Sequence, residues 1–169
     1  LAAVVLSSAS YGVDIINEAL ISGSLPTGWS QVSVTFATTA GGYANFTASG
    51  SVLTSPVIDL TGYTAVTLTF EVAKFGSGGN GPLTVEFSTD GGTTWTAQTF
   101  NSPTPTSSTY LTSGPTSIAA SGSNVRFRFI RTGSPSQKRL KNVVLSGTPV
   151  PSGTALEFDT PVSATVAEN

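Results

Sequence analysis

Apolar and polar residues alternate along several short stretches of the chain, and this period of two predicts β-strands with one buried face. In the longest stretch, residues 65–75, apolar side chains at positions 66, 68, 70 and 72 alternate with threonine and glutamate. Further candidate strands lie at 31–36, 43–48, 51–60, 83–88, 94–100, 125–129 and 140–146. Turn-forming residues separate them, and no stretch of useful length has a helical period. Many short strands predict an all-β, antiparallel β-sandwich.

One pair of these strands forms a hairpin whose turn has a distinctive sequence. Residues 83–88 and 94–100 flank a glycine-rich turn, which can reverse the chain because glycine tolerates positive φ. The spacing Ser88-x-Asp90-x-Gly92-x-Thr94-Trp95 resembles the Asp-box, a hairpin of sialidases, secreted glycanases and many extracellular β-modules. In that family the Asp and Ser tie the turn together and the Trp packs beneath it. The resemblance therefore implies a structural hairpin, with ligand contact by Trp95 as the alternative.

Composition excludes most enzyme classes. The chain has no Cys, no His and no Met, and only 9% of its residues are charged. Without His and Cys it cannot build a Ser-His or Cys-His nucleophile, the usual zinc site or a haem site. Paired carboxylates remain, Asp14 with Glu18 and Glu71 with Glu86, but no sequence context around them would raise a carboxyl pKa. We therefore predict a protein that is not an enzyme and has no catalytic residues.

The two ends of the chain differ from its middle. Residues 1–12 begin with an apolar run and continue with small residues, which indicates the remnant of a secretory signal peptide; a buried N-terminal strand is the alternative. Residues 149–153 contain two prolines, a serine and a glycine and are predicted to be a linker. Residues 154–169 alternate again and are predicted to begin a following β-module or to be an exchanged strand. No stretch has transmembrane length.

The order of five sequence stretches resembles that of a known module. These stretches are IINEALISGSLPTGWSQ at 15–31, YANF at 43–46, LTSPVIDLTGYTAVTLTFEV at 53–72, STDGGTTW at 88–95 and RLKNVVLSG at 139–147. The series is similar to the choice-of-anchor or adhesin-like jelly-roll modules of secreted Bacteroidetes proteins, which share their shape with carbohydrate-binding modules and MAM-type domains. The resemblance covers 13–148. It implies a jelly-roll β-sandwich within a larger protein exported to the cell surface, often by type IX secretion.

The resemblance also points to a calcium site. Related jelly rolls hold a structural calcium with acidic residues of the first strand region and of the last strand. Here the matching positions are Asn17, Glu18 and Asn142, with Lys141 where an Asp is common. Calcium requires several oxygen ligands and net negative charge, so the lysine weakens the match. A structural calcium stays an open alternative, and no other cofactor is predicted.

Basic residues are concentrated in one part of the chain. Six of the seven lie within positions 126–141: Arg126, Arg128, Arg131, Lys138, Arg139 and Lys141. Such a patch is a candidate site for an acidic polysaccharide. In the alternative interpretation Glu71 and Glu86 neutralise it through cross-strand ion pairs of modest strength. The net charge of −2 argues against nucleic acid as a partner.

Three tyrosines complete the predicted binding residues. Tyr43 and Tyr63 flank turns, and Tyr110 lies in a loop rich in serine, threonine and proline; Phe75, at a strand end, is a further aromatic of interest. We predict a non-catalytic extracellular adhesion or carbohydrate-binding module that contacts a polysaccharide or cell-surface glycan and neighbouring domains. The alternative is a structural subunit of a surface filament, assembled by intermolecular strand exchange through residues 154–169.

Overall fold

The regular structure of the protein is almost entirely β. The computed structural model describes residues 11–99, 103–133 and 136–151. In these residues the strands are β1 (Val13–Glu18), β2 (Ser30–Val32), β3 (Val34–Ala37), β4 (Tyr43–Phe46), β5 (Val52–Thr54), β6 (Tyr63–Phe75), β7 (Thr84–Ser88), β8 (Thr96–Gln98), β9 (Leu111–Thr112), β10 (Thr116–Ser117), β11 (Arg126–Ile130) and β12 (Gln137–Pro149). One 3-10 turn, Thr39–Gly41, precedes β4.

These strands form two antiparallel sheets packed face to face. The seven-stranded sheet has the order β10-β6-β12-β4-β3, with β1 also paired to β12 and β9 to β6. The five-stranded sheet has the order β2-β5-β11-β7-β8. The predicted all-β, antiparallel jelly-roll sandwich is confirmed. The strands β6 and β12 pair along nearly their whole length and form the centre of the larger sheet.

Aromatic side chains fill the space between the sheets. Phe70 of β6 meets Phe129 of β11 edge-on, with 5.0 Å between ring centroids, and Phe127 lies 5.8 Å from Phe129. Trp29 is 7% exposed and contacts Phe127 at 5.7 Å, so it is a core residue. Edge-to-face packing of this kind adds to the stability gained from burial alone. Each of these strands therefore keeps one fixed face toward the core and the other toward solvent.

The predicted strand 31–36 is in fact two strands in different sheets. Ser33 has a φ of 53°, which breaks the extended run between β2 and β3. Its carbonyl oxygen accepts hydrogen bonds from the hydroxyls of Thr47 (3.1 Å) and Ser51 (2.7 Å), which satisfy the backbone at the crossing. The sequence pattern misses this crossing because the alternation of apolar and polar residues continues through it.

The last strand extends beyond the predicted end of the domain at 148. β12 pairs with β6 as far as Pro149, and the amide of Val150 donates a hydrogen bond of 2.9 Å to the carbonyl oxygen of Gly62. Pro149, the first residue of the predicted linker 149–153, therefore belongs to the sheet, and Val150 is hydrogen-bonded directly after it. Residues 1–10 and 152–169, on which the signal-peptide prediction and the C-terminal module prediction depend, lie outside the described residues. Among the residues described, none forms a helix with the length and apolar character to span a membrane.

Candidate functional site

The outer face of the seven-stranded sheet carries a group of aromatic and charged side chains. We call them the outer-face cluster: Tyr43 on β4, Glu71 and Phe75 on β6, Tyr110 before β9, and Arg139 and Lys141 on β12. Antiparallel pairing keeps opposed residues on one face. Arg139 lies opposite Ala73 and Asn45, and Lys141 opposite Glu71, while the intervening residues turn inward. Side chains that are far apart in the sequence therefore meet on this surface.

The guanidinium of Arg139 is held between two aromatic rings. Its Cζ atom lies 3.6 Å from the ring centroid of Phe75 and 4.2 Å from that of Tyr43. Tyr43 is buried, whereas Phe75 is 45% exposed. A planar cation stacked on aromatic faces is fixed in orientation and needs no carboxylate partner. Within the described residues its buried Nε atom has no hydrogen-bond partner.

The glycine before β4 explains how Tyr43 reaches this position. Gly42 has a φ of 79° and a ψ of 148°, a conformation that side chains strongly disfavour. A Cβ atom at Gly42 would lie 2.4 Å from the Cα atom of Ile21. The backbone of the 3-10 turn therefore approaches the segment after β1 as closely as the absence of a side chain permits. This contact fixes the start of β4 and the ring that covers Arg139.

A second group of contacts lies beside the first on β6 and β12, where Lys141 is opposite Glu71. Lys141 forms an ion pair with Glu71, with 3.3 Å between Nζ and Oε2, and its Nζ atom lies 4.2 Å from the ring centroid of Tyr110. Burial raises the pKa of the Tyr110 hydroxyl, and the charge of Arg139 partly opposes the increase. In the part of the chain that is described, this hydroxyl is buried and has no hydrogen-bond partner. The cluster thus combines a neutral phenol with a fixed ion pair.

A cavity of about 360 Å³ adjoins the exposed end of the cluster. It is lined by Phe75, Gly76, Ser77, Gly78, Ser136 and Gln137. Gln137 lies opposite Phe75 in the sheet, and its Oε1 atom accepts a hydrogen bond of 2.9 Å from Nδ2 of Asn45. The aromatic surface and the cavity are therefore continuous through Phe75.

The predicted basic patch does not form a single surface. Arg126 and Arg128 lie on β11, whose outward residues face away from the outer-face cluster because β11 and β12 belong to different sheets. Arg128 pairs with Glu86, with 2.5 Å between Nη2 and Oε2, and lies 4.2 Å from the ring centroid of Trp95. The pairs Glu86 with Arg128 and Glu71 with Lys141 are both cross-strand ion pairs of the kind that the alternative interpretation predicts.

Two other predicted binding residues lie outside the outer-face cluster. Arg131 is 3% exposed, and burial lowers the pKa of its guanidinium. Tyr63 is half-buried against the core and lies beside Gly147, where an added Cβ would be 3.2 Å from the Cβ of Tyr63. The structure therefore brings together Tyr43, Tyr110, Arg139 and Lys141, but not Arg131 or Tyr63.

The Asp-box hairpin lies on the five-stranded sheet, away from the outer-face cluster. The Asp90 carboxylate accepts hydrogen bonds from the hydroxyl of Thr94 (2.6 Å), the hydroxyl of Ser88 (2.7 Å), and the amides of Thr94 (2.9 Å) and Thr93 (3.0 Å). The Thr94 bonds and then the Ser88 bond hold the pKa of Asp90 far below its usual range.

Gly92 and Trp95 close the same turn. The amide of Gly92 donates to the Ser88 hydroxyl at 2.8 Å, and Nε1 of Trp95 donates to the Gly92 carbonyl oxygen at 3.0 Å. The Trp95 ring is half-buried between this turn and Arg128. These contacts are internal to the hairpin and its sheet, as the Asp-box resemblance implies.

The residues proposed for calcium do not share one site. Asn17 and Glu18 pair with Val144 and Val143 of β12, so their side chains project to opposite faces of the sheet. Glu18 Oε1 accepts the amide of Leu20 at 2.9 Å, and the amide of Asn142 donates to the Ala19 carbonyl oxygen at 3.2 Å. The residues that the structure describes contain no group of three or more acidic, His or Cys side chains that could hold a metal ion. This arrangement does not fit a calcium site.

Sequence reasoning left two residues out of the predicted site. The sequence singles out Phe75 as an aromatic of interest at a strand end, and Glu71 as a carboxylate paired with Glu86 or as a partner for the basic patch. The register of β6 against β12 brings both to Arg139 and Lys141. A signal was present in the sequence, since Glu71 and Phe75 share the polar face of one long alternating stretch. Which strand lies beside that face cannot be read from the alternation.

Comparison with known proteins identifies the fold. No protein-family model matches the chain, and no curated protein matches its sequence. Among solved structures, the CBM22-1 xylan-binding domain of Xyn10C from Paenibacillus barcinonensis has a TM-score of 0.61 at 14% identity, covering 85% of this chain and 99% of that domain.

Two further structures give the same result. The K3 cleaved adhesin domain of Lys-gingipain from Porphyromonas gingivalis w83 has a TM-score of 0.51 at 12% identity, covering 80% of this chain and 99% of that one. A singly substituted variant of the family 29 carbohydrate-binding module CBM29-2 has a TM-score of 0.54 at 12% identity, covering 82% of this chain and 87% of that one. The chain has the jelly-roll fold of carbohydrate-binding and adhesin modules.

Proposed function

We propose that the protein is a non-catalytic carbohydrate-binding module of an exported surface protein, and that a polysaccharide lies across the outer-face cluster. The observation that carries this proposal is the Arg139 guanidinium held between Tyr43 and the exposed ring of Phe75. Sugar sites combine aromatic surface, on which the apolar face of a pyranose packs, with a few fixed polar groups that bind hydroxyls. In this chain, Phe75 supplies the aromatic surface, and the fixed polar groups are those of Arg139, Lys141 and Glu71.

The contacts within the cluster favour binding because they restrict motion before a ligand arrives. Stacking fixes Arg139, and the ion pair between Lys141 and Glu71 fixes two more long side chains. Side chains that are already ordered lose less conformational entropy when a ligand contacts them. The fold likeness to a xylan-binding domain and to an adhesin domain supports the class of function, while the choice of sugar depends on this chain's own side chains.

Affinity electrophoresis against a panel of neutral and acidic polysaccharides tests the proposal. We expect at least one polysaccharide to retard the protein, and R139A and F75A each to weaken that retardation about 10-fold or more, as for central residues of an interface. R126A is the matched control, because Arg126 lies on the other sheet and has no ion pair among the described residues. Retardation that survives R139A and F75A but fails in R126A would contradict the proposed site, and a lack of any retardation would contradict the function.

One observation favours the strand-exchange alternative as a second candidate. β8 is an edge strand of only three residues, and a cavity of about 380 Å³ lies beside it, lined in part by Phe87, Ala97, Ala119 and Ala120. An added strand could pair with β8 and insert an apolar side chain there. Light scattering on the full chain and on a chain ending at Pro151 tests this: filament assembly requires oligomers of the first that are lost in the second. A monomeric full chain at high concentration would exclude it.

A further inference from the structure

The described residues that line the cavity beside Phe75 present hydrogen-bond donors and no acidic side chain. Because the Gln137 Oε1 atom accepts from Asn45, the two N–H groups of the Gln137 amide remain available to the cavity that the residue lines. Gly76 and Gly78 contribute backbone rather than side chains to the wall, and Gly76 has a φ of 94°. None of the lining residues that the structure describes carries a carboxylate. The chemistry of the wall therefore suits an anion rather than a cation.

Directly behind this wall lies a buried lysine. Lys138 is 0% exposed, and its Nζ atom donates a hydrogen bond of 2.7 Å to the hydroxyl of Ser136, a residue of the cavity wall. The same hydroxyl donates to the carbonyl oxygen of Gly79 at 2.6 Å. Burial lowers the pKa of Lys138, and the nearby positive charges of Arg131 and Lys74 lower it further. The charged neighbours that shift the pKa of this ammonium are thus both cations.

Among the described residues, Lys74 and Lys138 at this end of the sandwich have no carboxylate partner. Ion pairs between described residues are Arg128 with Glu86 and Lys141 with Glu71, and neither includes Lys74 or Lys138. A buried ammonium is costly unless an opposite charge compensates it. The chain as a whole has a net charge of −2, so the molecule carries no general excess of positive charge. An anion in the cavity would place a negative charge near Lys138.

We infer that the protein selects polysaccharides that carry an anionic group, a uronate carboxylate or a sulfate ester, and binds this group in the cavity lined by Phe75, Gly76, Ser136 and Gln137. The inference rests on the proposed function, because the same sugar packs on the exposed ring of Phe75. The Gln137 amide donates to the anion, and Lys138 attracts it through the field behind Ser136. Arg139, stacked on the ring of Phe75, adds a further positive charge at the rim.

Paired probes separate anion recognition from sugar recognition. We would measure affinity electrophoresis with polygalacturonate against its carboxyl-reduced form, and with dextran sulfate against dextran. The expected result is retardation by one or both acidic members at least about 10-fold stronger than by the neutral partner, the size of a charge-assisted hydrogen bond. The pair that shows it identifies carboxylate or sulfate. Equal retardation by both members of a pair overturns the inference but leaves the proposed function intact, whereas no retardation by any probe overturns both.

Two substitutions locate the anion. Q137E places a carboxylate at the cavity wall, so we expect it to reduce retardation by the acidic probe about 10-fold or more. Q31E is the matched control, because it makes the same charge change on β2 of the other sheet. K138M removes the buried charge with little change in volume and should also weaken acidic binding. If Q31E or R126A weakens acidic binding as much as Q137E, attraction is general and the inference fails.

Discussion

The Asp90 carboxylate organises its turn by accepting hydrogen bonds from three residues. Thr94, Ser88 and Thr93 all donate to it, and Gly91 reaches back to the Asn124 carbonyl oxygen at 2.9 Å. Bonds to the ionised form stabilise it and lower its pKa. A single side chain therefore determines both the shape of the hairpin and a pH-dependent part of its stability.

We predict that D90N lowers the melting temperature at pH 7. The folded-state pKa of Asp90 lies below its ordinary value of 3.8. The stabilisation is therefore complete above 3.8 and is lost as the pH falls toward the folded-state pKa. The difference between wild type and D90N, measured by thermal unfolding, should shrink as the pH is lowered from about 7 to about 2.5.

The control for this prediction is D59N. Asp59 accepts hydrogen bonds from one residue only, the amide (2.9 Å) and hydroxyl (2.7 Å) of Thr61. Its removal should therefore lower the melting temperature less than D90N does. A melting difference for D90N that is the same at both ends of this pH range would argue against the carboxylate as the cause.

Gly41 and Gly42 form a natural matched pair for testing the position of Tyr43. An alanine Cβ at Gly41 meets nothing within 4 Å, whereas at Gly42 it would collide with Ile21. Both residues have positive φ. We predict that G41A costs about 1 kcal/mol and G42A about 3 kcal/mol or more in unfolding free energy, measured by urea denaturation. Equal costs would show that the close approach to Ile21 is not what fixes this turn.

At the scale of elements, β12 supplies both the outward side chains of the candidate site and the buried lysine behind its cavity. Its outward residues include Gln137, Arg139 and Lys141, and its inward residue Lys138 lies behind the cavity. A β-bulge shifts the register between Lys141 and Val144, and Asn142 within it has a φ of 51°. An inserted residue of this kind lets the strand bury Val143 and Leu145 while keeping Lys141 opposite Glu71.

The bulge leads to a prediction for two substitutions at Asn142. Asparagine and glycine accept positive φ readily, whereas a β-branched residue does not. We expect N142G to leave stability nearly unchanged and N142V to lower the unfolding free energy by about 1–2 kcal/mol, both measured by urea denaturation. Comparable stability of the two variants would mean that the bulge is not retained in solution.

The two strands β11 and β12 explain why a compact basic stretch in sequence becomes two surfaces. Consecutive strands of this region belong to different sheets, so their outward faces point away from each other. Arg128 is neutralised by Glu86 on one side of the molecule, and Arg139 is stacked between rings on the other. The basic residues that are close in the sequence therefore do not form one large patch. Two of them, Arg139 and Lys141, belong to the outer-face cluster.

At the scale of the whole molecule, the described sandwich is a continuous packed unit. Its buried apolar cluster draws on both sheets, from Leu20 near the start to Leu145 on the last strand. β1 pairs with residues 143–147 of β12, so the first and last strands support each other. Within the described residues, all sheet pairing lies between Val13 and Pro149.

We therefore predict that a chain of residues 11–151 folds alone with the melting temperature of the full chain. It contains every strand pair and every buried core residue that the structure describes, so the two-state unfolding transition should be unchanged when followed by circular dichroism. A chain of residues 20–151 is the comparison, because it lacks β1 and exposes one edge of β12; it should melt at a lower temperature. A clear loss of stability in the 11–151 chain would show that the flanking residues contribute to the fold.

What the sequence determined by itself is the fold class, most of the strands and the Asp-box hairpin. The alternation of apolar and polar residues and the choice of turn residues depend only on neighbouring positions. Both can therefore be recognised without knowledge of the rest of the chain. The pattern identified β6 and β7 nearly residue for residue, and the resemblance to the Asp-box implied structural roles for Asp90 and Trp95. The absence of His and Cys excluded the catalytic sites that need those residues without any structure.

Only the tertiary structure decided which strands are neighbours and therefore which side chains meet. The pairing of β6 with β12 brought Phe75 and Glu71 to Arg139 and Lys141, and the change of sheet between β11 and β12 separated Arg128 from them. The tertiary structure also buries Lys138 behind a cavity, although the sequence suggested that this lysine is exposed. These outcomes depend on contacts between distant residues, which a local pattern of apolar and polar positions does not encode.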